Sequence, residues 1–533
     1  MTRSPSDRPH RVLIVGGGFG GLYAARELGG DRRIDVTLVD RRNFHLFQPL
    51  LYQVATGALS PSEIAQPLRS ILHKRKNTTV LLGEAVALVP DRREVQLSDG
   101  GPIAYDSLVV ATGARFSYFG HDDWARHTPG LKSIDDATEI RRRILIAFEA
   151  AEREADPVCR AEWMTFVVVG GGPTGVELAG ALGEIANDTL RRDFRSIDPT
   201  QARILLVEAL GRILPLYPPD RSASARRQLE RLGVTVQTGT RVVHIDDRSV
   251  GLAIGGQKER LPTRTVLWAA GVEVSSFTRA VAQATGTEAD RAGRILVGPD
   301  LTIPGHPEIF VVGDAAVQPW QDGRPVPGVA QGGIQGGMYA ARTIRRRLSG
   351  QPIPPFRYSN RGNVAVIGRL AGVTDIPWLG PLGRQGGFVA WLLWLGIHIA
   401  YLIGFANRIV VVVRWTWSFA THGRGSRLIT GEPTYRQSRS PSRRPDRGLP
   451  LPSSRPARAC SGRSRSSLGP STSGPSSSAS GASSRRAPPP STPSSATSWP
   501  GLRLPVPPEP GGDAVRDLLA VVRVRRRPSV PPC

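Results

Sequence analysis

Cysteine is scarce in this chain. There are three in 533 residues, and two of them, Cys460 and Cys533, lie beyond Pro433. The body is left with Cys159 alone, so it has no internal disulfide. No C-x-x-C pair is present to build a zinc ribbon or a redox dithiol, and no metal site is expected. A long apolar opening run is also missing. Val12 to Val15 is far shorter than a signal-peptide core and leads straight into glycines, so the bulk of the chain is expected in the cytoplasm. Acid is in deficit, with 45 Asp and Glu against 69 Lys and Arg, a formal charge of +24. Pro433 to Cys533 holds 17 Arg, no Lys and 4 acids, a net of +13, leaving +11 for the rest. A basic body of that size suits an anionic membrane surface as well as nucleic acid. No nucleic-acid motif accompanies the arginines, so a nucleic-acid partner is not expected.

What is present is a pattern that occurs twice: buried strand, glycine turn, helix, strand. Arg11 to Val15 reads as a buried strand without alternation. Gly16 to Gly21, a helix over Leu22 to Leu28 and the strand Val36 to Asp40 follow. The second copy runs through Phe166 to Val169, Gly170 to Gly175, a helix from Val176 to about Ile185 and the strand Ile204 to Glu208. From Ile309 to Val312 the chain returns to a strand, with a short helix expected near Gly332 to Arg347. The fold class is therefore α/β, with two Rossmann-like dinucleotide-binding domains, the second inserted in the first. Expected limits are 1–150 and 291–380 for the two parts of an FAD-binding domain and 151–290 for an NADH-binding domain. A membrane-associating region follows at 381–432. Residues 433–533 are rich in Ser, Pro, Arg and Gly without hydrophobic period, and are expected to be a disordered, dispensable tail.

Each glycine has a physical task. In Gly16-Gly17-Gly18-Phe19-Gly20-Gly21, Gly16 allows the tight turn, Gly18 lets a pyrophosphate approach the backbone, and Gly21 lets helix and strand pack closely. The helix N-terminus offers N–H groups and a positive dipole end to phosphate. Asp40 ends the next strand, where an acid binds ribose hydroxyls. Gly170, Gly172 and Gly175 repeat the turn, and Glu208 supplies the second acid. A carboxylate there prefers a free 2′-hydroxyl and repels a 2′-phosphate, which favours NADH; Arg212 nearby keeps that preference moderate. Two dinucleotide sites in one chain mean that two nucleotides meet, which for hydride chemistry means a flavin and a nicotinamide. Val109 to Ala114, with Thr112 and Gly113, and Phe310 to Ala316, with Gly313 and Asp314, read as strand ends beside a flavin or as plain strand ends. Asp314 there could bind ribityl hydroxyls.

More particular strings carry a resemblance. They are Asn43-Phe44-His45-Leu46-Phe47-Gln48-Pro49-Leu50-Leu51-Tyr52-Gln53-Val54-Ala55-Thr56-Gly57, Ala111 to Ala114 with Ser117 to Gly120, Gly175 to Gly180, Leu267 to Val272, and Pro327 to Gln335. On these the chain resembles the type II NADH dehydrogenases, single-subunit NADH:quinone oxidoreductases, over roughly Arg11 to Thr430. The resemblance implies that Gly16, Gly18, Gly21, Asp40, Thr112, Gly113, Gly313 and Asp314 hold FAD. It implies that Gly170, Gly172, Gly175 and Glu208 hold NADH, that Glu177 stands near nicotinamide and flavin, and that Gln331 and Gln335 face a membrane quinone. It further implies hydride transfer from NADH to flavin, then two-electron reduction of quinone without proton pumping. The setting it implies is the cytoplasmic face of the cell membrane, and it allows a homodimer. Spacing alone makes Gln331 and Gln335 two surface amides on one helix face. It makes Glu177 either a dipole partner in the first helical turn or a site residue. His45 reads as structural.

Gly386 to Ala406 is 21 residues of nearly unbroken apolar sequence, interrupted by His398. That length reaches across a bilayer, but a buried core helix is also compatible with it. Trp391, Trp394, Tyr401, Trp415 and Trp417, with Arg384, Arg408 and Arg414 at the flanks, suit a membrane interface. The resemblance favours two amphipathic segments lying on one leaflet over a span. Competing functions are a sulfide:quinone reductase, which needs a cysteine pair, a reductase of a protein electron carrier, and an FAD-containing NADH-binding regulatory or apoptosis-factor-like protein.

Overall fold

The structure, a computed structural model, describes residues 8–318, 323–421 and 423–430. The expected tail at 433–533 lies outside the described residues.

Val and Ile runs without alternation belong in strands covered on both faces, and such strands form the centres of both main sheets. The first sheet has the order Thr302–Ile303, His306–Val311, Ser107–Val110, His10–Val15, Ile34–Asp40, Thr78–Leu82. All neighbours are parallel except the Thr302–Ile303 edge. The second sheet is wholly parallel, in the order Val234–Gln237, Arg203–Val207, Thr165–Val169, Thr265–Trp268. Every residue of Ser107–Val110, Thr165–Val169 and Thr265–Trp268 is buried. The chain thus leaves the first sheet after Val110, builds the second, and returns at His306–Val311 beside Ser107–Val110. An antiparallel ribbon, Ala114–Phe116 with Val272–Val274, joins the outgoing and returning connections.

Three helices frame the site. The first glycine helix, Phe19–Leu28, is crossed by the long helix Ala330–Leu348. The crossing is close because only hydrogen fills it: a Cβ on Gly337 would stand 2.0 Å from the Gly20 carbonyl oxygen. The second glycine helix, Pro173–Glu184, carries the hairpin Asn363–Gly368/Ala371–Asp375 on its side. A Cβ on Gly180 there would meet the Ile367 carbonyl oxygen at 1.7 Å. The expected short helix near Gly332 is 19 residues long.

The apolar stretch from Gly386 is two helices. Phe388–Tyr401 has 14 residues, about 21 Å at 1.5 Å per residue. The chain then turns at Gly404, in left-handed backbone, and a second helix runs over Phe405–Thr421. Among the described residues no helix is long and apolar enough to cross a membrane. Trp394 departs from the interfacial expectation. It is buried against His398 and Trp415, with ring centroids 4.3 and 5.3 Å away, and is part of the core. The 21-residue run therefore mixes one buried face with an exposed one that holds Phe388, Val389 and Leu392.

Candidate functional site

The two glycine turns are built alike. Gly16 and Gly170 have φ of +107° and +110°. Their N–H groups donate to Val39 and Val207 carbonyls, each at 2.8 Å. A Cβ on Gly21 or Gly175 would stand 1.8 Å from the carbonyl oxygen of Gly16 or Gly170, so helix and turn touch backbone to backbone. Gly18 and Gly172 have nothing within 4 Å of a built Cβ, so that side of each turn is open, as close approach of a pyrophosphate would require. No side chain caps either helix at these residues.

The acids also match. Asp40 accepts from Gly17 N at 2.6 Å and Arg42 N at 2.7 Å. Glu208 accepts from Gly171 N at 2.6 Å and Leu210 N at 2.7 Å. Each carboxylate oxygen thus has one backbone donor and keeps lone-pair capacity for a ribose hydroxyl. Burial raises the Asp40 carboxyl above the ordinary range, opposed by those same N–H groups. His45, edge-on to Phe19 with centroids 5.0 Å apart, shares a hydrogen bond with the Gly17 carbonyl. Burial lowers it to about 4, so it is neutral and buttresses the turn.

Gly313 and Asp314 form a short turn after His306–Val311, with Asp314 3.8 Å from Lys132 Nζ. Gly113 has left-handed backbone and open space on its Cβ side. Thr112 turns its hydroxyl to Ser275 and Thr278, at 2.9 and 2.7 Å, and so ties the strand end to the start of the helix Ser276–Thr285.

Glu177 does not stand in a first turn. Its helix begins at Pro173 rather than near Val176, which puts the carboxyl in the second turn, buried and off the helix end. Burial pushes it up to about 8 against the opposing influence of the Val366 backbone and the Trp394 indole. It lines a cleft with Tyr52, Gln53, Trp391 and Trp415. Glu184, seven residues on and on the same helix face, also lines it, with Arg424. Arg424 donates to Glu184 Oε2 at 2.7 Å and to the Thr56 carbonyl at 3.2 Å, and both ionic partners are nearly buried.

Gln331 and Gln335 do share a face, but neither lines this cleft. Gln331 donates to the Gly362 carbonyl at 2.9 Å and accepts from Arg361 N at 3.1 Å. Gln335 donates to and accepts from the Ser359 backbone, both at 2.9 Å. The two amides hold the segment that leads into the hairpin, whose Val366 to Arg369 form one wall of the cleft. The structure thus brings Glu177 together with Tyr52, Gln53, Glu184 and Arg424, which residue spacing did not single out. Tyr52 and Gln53 stood inside the string from Asn43 to Gly57 as a visible signal. Arg424 had none, because its partner is 240 residues away.

Among the described residues no group of three or more His, Cys, Asp or Glu could hold a metal. Cys159 is the described cysteine; its thiol sits on the short helix Pro157–Trp163 and donates to Asp156.

Residues 10–346 match the family model of the pyridine nucleotide-disulphide oxidoreductases. The chain is 46% identical over 440 residues to the type II NADH:quinone oxidoreductase Ndh of Mycobacterium tuberculosis, covering 81% of this chain and 93% of that protein. It is 30% identical to the type II NADH:quinone oxidoreductase of Staphylococcus aureus, covering 71% and 92%. The fold is similar to a solved structure of NDH2 from Plasmodium falciparum in complex with NADH, with TM-score 0.71, 20% identity, and coverage of 80% of this chain and 100% of that one. It is also similar, at TM-score 0.59 and 19% identity, to the sulfide:quinone oxidoreductase of Aquifex aeolicus, covering 75% and 91%. Similarity of that degree to the solved structures concerns the fold, whereas the identity to the curated relatives extends over nearly their whole length. This chain belongs to the pyridine nucleotide-disulphide oxidoreductases and, within them, to the type II NADH:quinone oxidoreductases.

Proposed function

We propose that the first glycine turn holds FAD, the second holds NADH, and the Glu177 cleft seats the head group of a membrane quinone, reduced without proton pumping. The observation that carries this reading is the duplicated turn: two open cradles at Gly18 and Gly172, each flanked by a carboxylate, Asp40 and Glu208, on the following amide. The residues fit two dinucleotides, because each cradle offers uncapped helix N–H groups to a pyrophosphate and an acid to a ribose. FAD when bound supplies the acceptor for the hydride and the donor to the quinone.

The chain's own groups supply the rest. Glu208 prefers the free 2′-hydroxyl of NADH. Glu177, raised to about 8, is mostly protonated at neutral pH and can hand a proton to a quinone oxygen as negative charge develops there. Gln331 and Gln335 steady the Ser359–Gly362 segment and through it the cleft wall, and on this reading Gly313 and Asp314 would hold the flavin's ribityl chain. The chain leaves the first sheet after Val110 and returns to it at His306–Val311, and on this reading residues 1–150 and 291–380 form the FAD-binding domain around an NADH-binding domain at 151–290. Exposed apolar side chains on the last helix, Ile409, Val410, Val412, Val413 and Trp417, suit contact with lipid, which puts the cleft beside the quinone's solvent.

A visible spectrum of the purified protein tests the reading. Flavin bands near one per chain should bleach with NADH and return on adding menadione. A colourless protein that takes up no flavin on reconstitution refutes it.

A further inference from the structure

The Glu177 cleft contains a hydrogen-bond chain whose direction can be read from donor chemistry alone. The Trp415 indole N–H lies 2.7 Å from one end of the Gln53 amide, and the other end lies 2.8 Å from the Tyr52 hydroxyl. An indole nitrogen only donates. The atom it meets is therefore the Gln53 oxygen, and the Gln53 nitrogen must donate to Tyr52. The Tyr52 oxygen is thus an acceptor in this chain, and its own proton remains unspent. Gln53 is buried, so the order Trp415 to Gln53 to Tyr52 is not exchanged for water.

Tyr52 is 6% exposed, yet it lines the cleft. Glu177 shares the lining, and burial together with that carboxyl pushes the Tyr52 phenol well above its ordinary value, so it stays protonated. A hydroxyl that already accepts a hydrogen bond becomes a better donor, since the chain polarises in one direction. What remains is a neutral, oriented donor at a cavity wall, where a ligand oxygen would complete its bonding.

We infer that Tyr52 is a further catalytic residue for quinone reduction: its hydroxyl, set by Gln53 and Trp415, donates a hydrogen bond to a quinone carbonyl oxygen in the Glu177 cleft. The inference rests on the proposed seat of the quinone in that cleft. The balance is that of the overall reaction, in which NADH, a proton and quinone give NAD⁺ and quinol. NADH supplies two electrons and one hydrogen nucleus as hydride, and the second proton comes from Glu177, which solvent recharges. Tyr52 keeps its proton throughout and acts on the charge that builds on the carbonyl oxygen. Gln53 and Trp415 are positioning residues. Trp415 belongs to the last helix, so the orientation of a group in the cleft depends on how that helix seats.

The test uses the full chain with Tyr52→Phe, Trp415→Phe, the pair together, and Glu177→Gln. Each is assayed with menadione and with ferricyanide, an acceptor that has no carbonyl oxygen to protonate. Tyr52→Phe should lower menadione kcat roughly 10- to 100-fold and leave NADH KM and ferricyanide turnover within about twofold. Trp415→Phe frees Gln53 to flip and should cost less. The double variant should be no slower than Tyr52→Phe, which a merely structural tryptophan would not produce. Menadione turnover of Tyr52→Phe within about twofold of the parent overturns the inference, as does an equal loss with both acceptors. If Glu177→Gln is impaired and Tyr52→Phe is not, Tyr52 alone is refuted. If both turn over menadione normally, the cleft is not the quinone seat, and that reading falls with the inference.

Discussion

Glu177→Gln changes one atom and removes one titration. In the folded protein the carboxyl is raised from 4.5 to about 8, chiefly by burial. At about 1.4 kcal/mol per pH unit, that interval corresponds to ~5 kcal/mol of linkage between protonation and folding, an upper figure. The folded chain binds this proton more tightly than the unfolded chain does. The associated stability is therefore complete below about pH 4.5, declines between 4.5 and 8, and is gone above 8. Glutamine, neutral at every pH, has no such slope. The variant should melt close to the parent at pH 5 and above it at pH 9, by on the order of 5 °C given the entropy of unfolding of a chain this size. Menadione turnover of the parent should fall as pH passes about 8, while the variant should be slow and insensitive to pH there. Differential scanning calorimetry over pH 5 to 9, paired with initial rates, measures both. Melting curves for parent and variant that stay parallel across that range would refute the claim that this carboxyl is buried and protonated.

Gly21→Ala and Gly175→Ala each drive a methyl to 1.8 Å from a backbone oxygen that cannot rotate away. Each should destabilise by more than ~3 kcal/mol in urea, the first with loss of retained flavin colour and the second with weakened NADH binding in a titration. Arg424→Met leaves the nearly buried Glu184 without its ionic partner and should lower stability by ~3 kcal/mol. Adding Glu184→Gln should recover a substantial part, and a double-mutant cycle by thermal melting reads the coupling. Val413 and Trp417, 60% and 68% exposed on the last helix, should tolerate Val413→Asp and Trp417→Ser with stability unchanged within ~0.5 kcal/mol. Partition into anionic vesicles, measured by sedimentation, should fall roughly tenfold or more for each, because each loses apolar area from the face proposed to meet lipid. Unchanged partition would remove this face from consideration.

The glycine motifs were legible because their requirements are local. Gly16 and Gly170 need left-handed backbone, Gly21 and Gly175 need the absence of a Cβ, and both acids lie on the next strand's end, where a short span of chain specifies the distance. Helix starts were less legible. Gly172 and Pro173 together begin the second glycine helix, and placing its start at Val176 put Glu177 one turn too near the end. The apolar stretch from Gly386 was ambiguous for a different reason. Hydropathy cannot distinguish a helix that is apolar because it is buried from one whose apolar side chains are exposed, and Phe388–Tyr401 has a face of each kind. Gln331 and Gln335 were correctly assigned to one face, but spacing is silent on whether an amide is already engaged by a neighbouring loop.

The sequence by itself determined the paired strand–glycine turn–helix units, the acid at the next strand end of each, the family, and the absence of a cysteine pair in the body. All of these depend on residues close together in the chain or on composition. Only the tertiary structure decided what surrounds Glu177. Tyr52 and Gln53 come from one end of the chain, the hairpin wall and Trp415 from the other, and Arg424 reaches Glu184 across 240 residues. The desolvation that raises Glu177 and the donor order that orients Tyr52 are properties of that assembly, because both depend on which groups exclude water from one another, and no stretch of sequence encodes that alone.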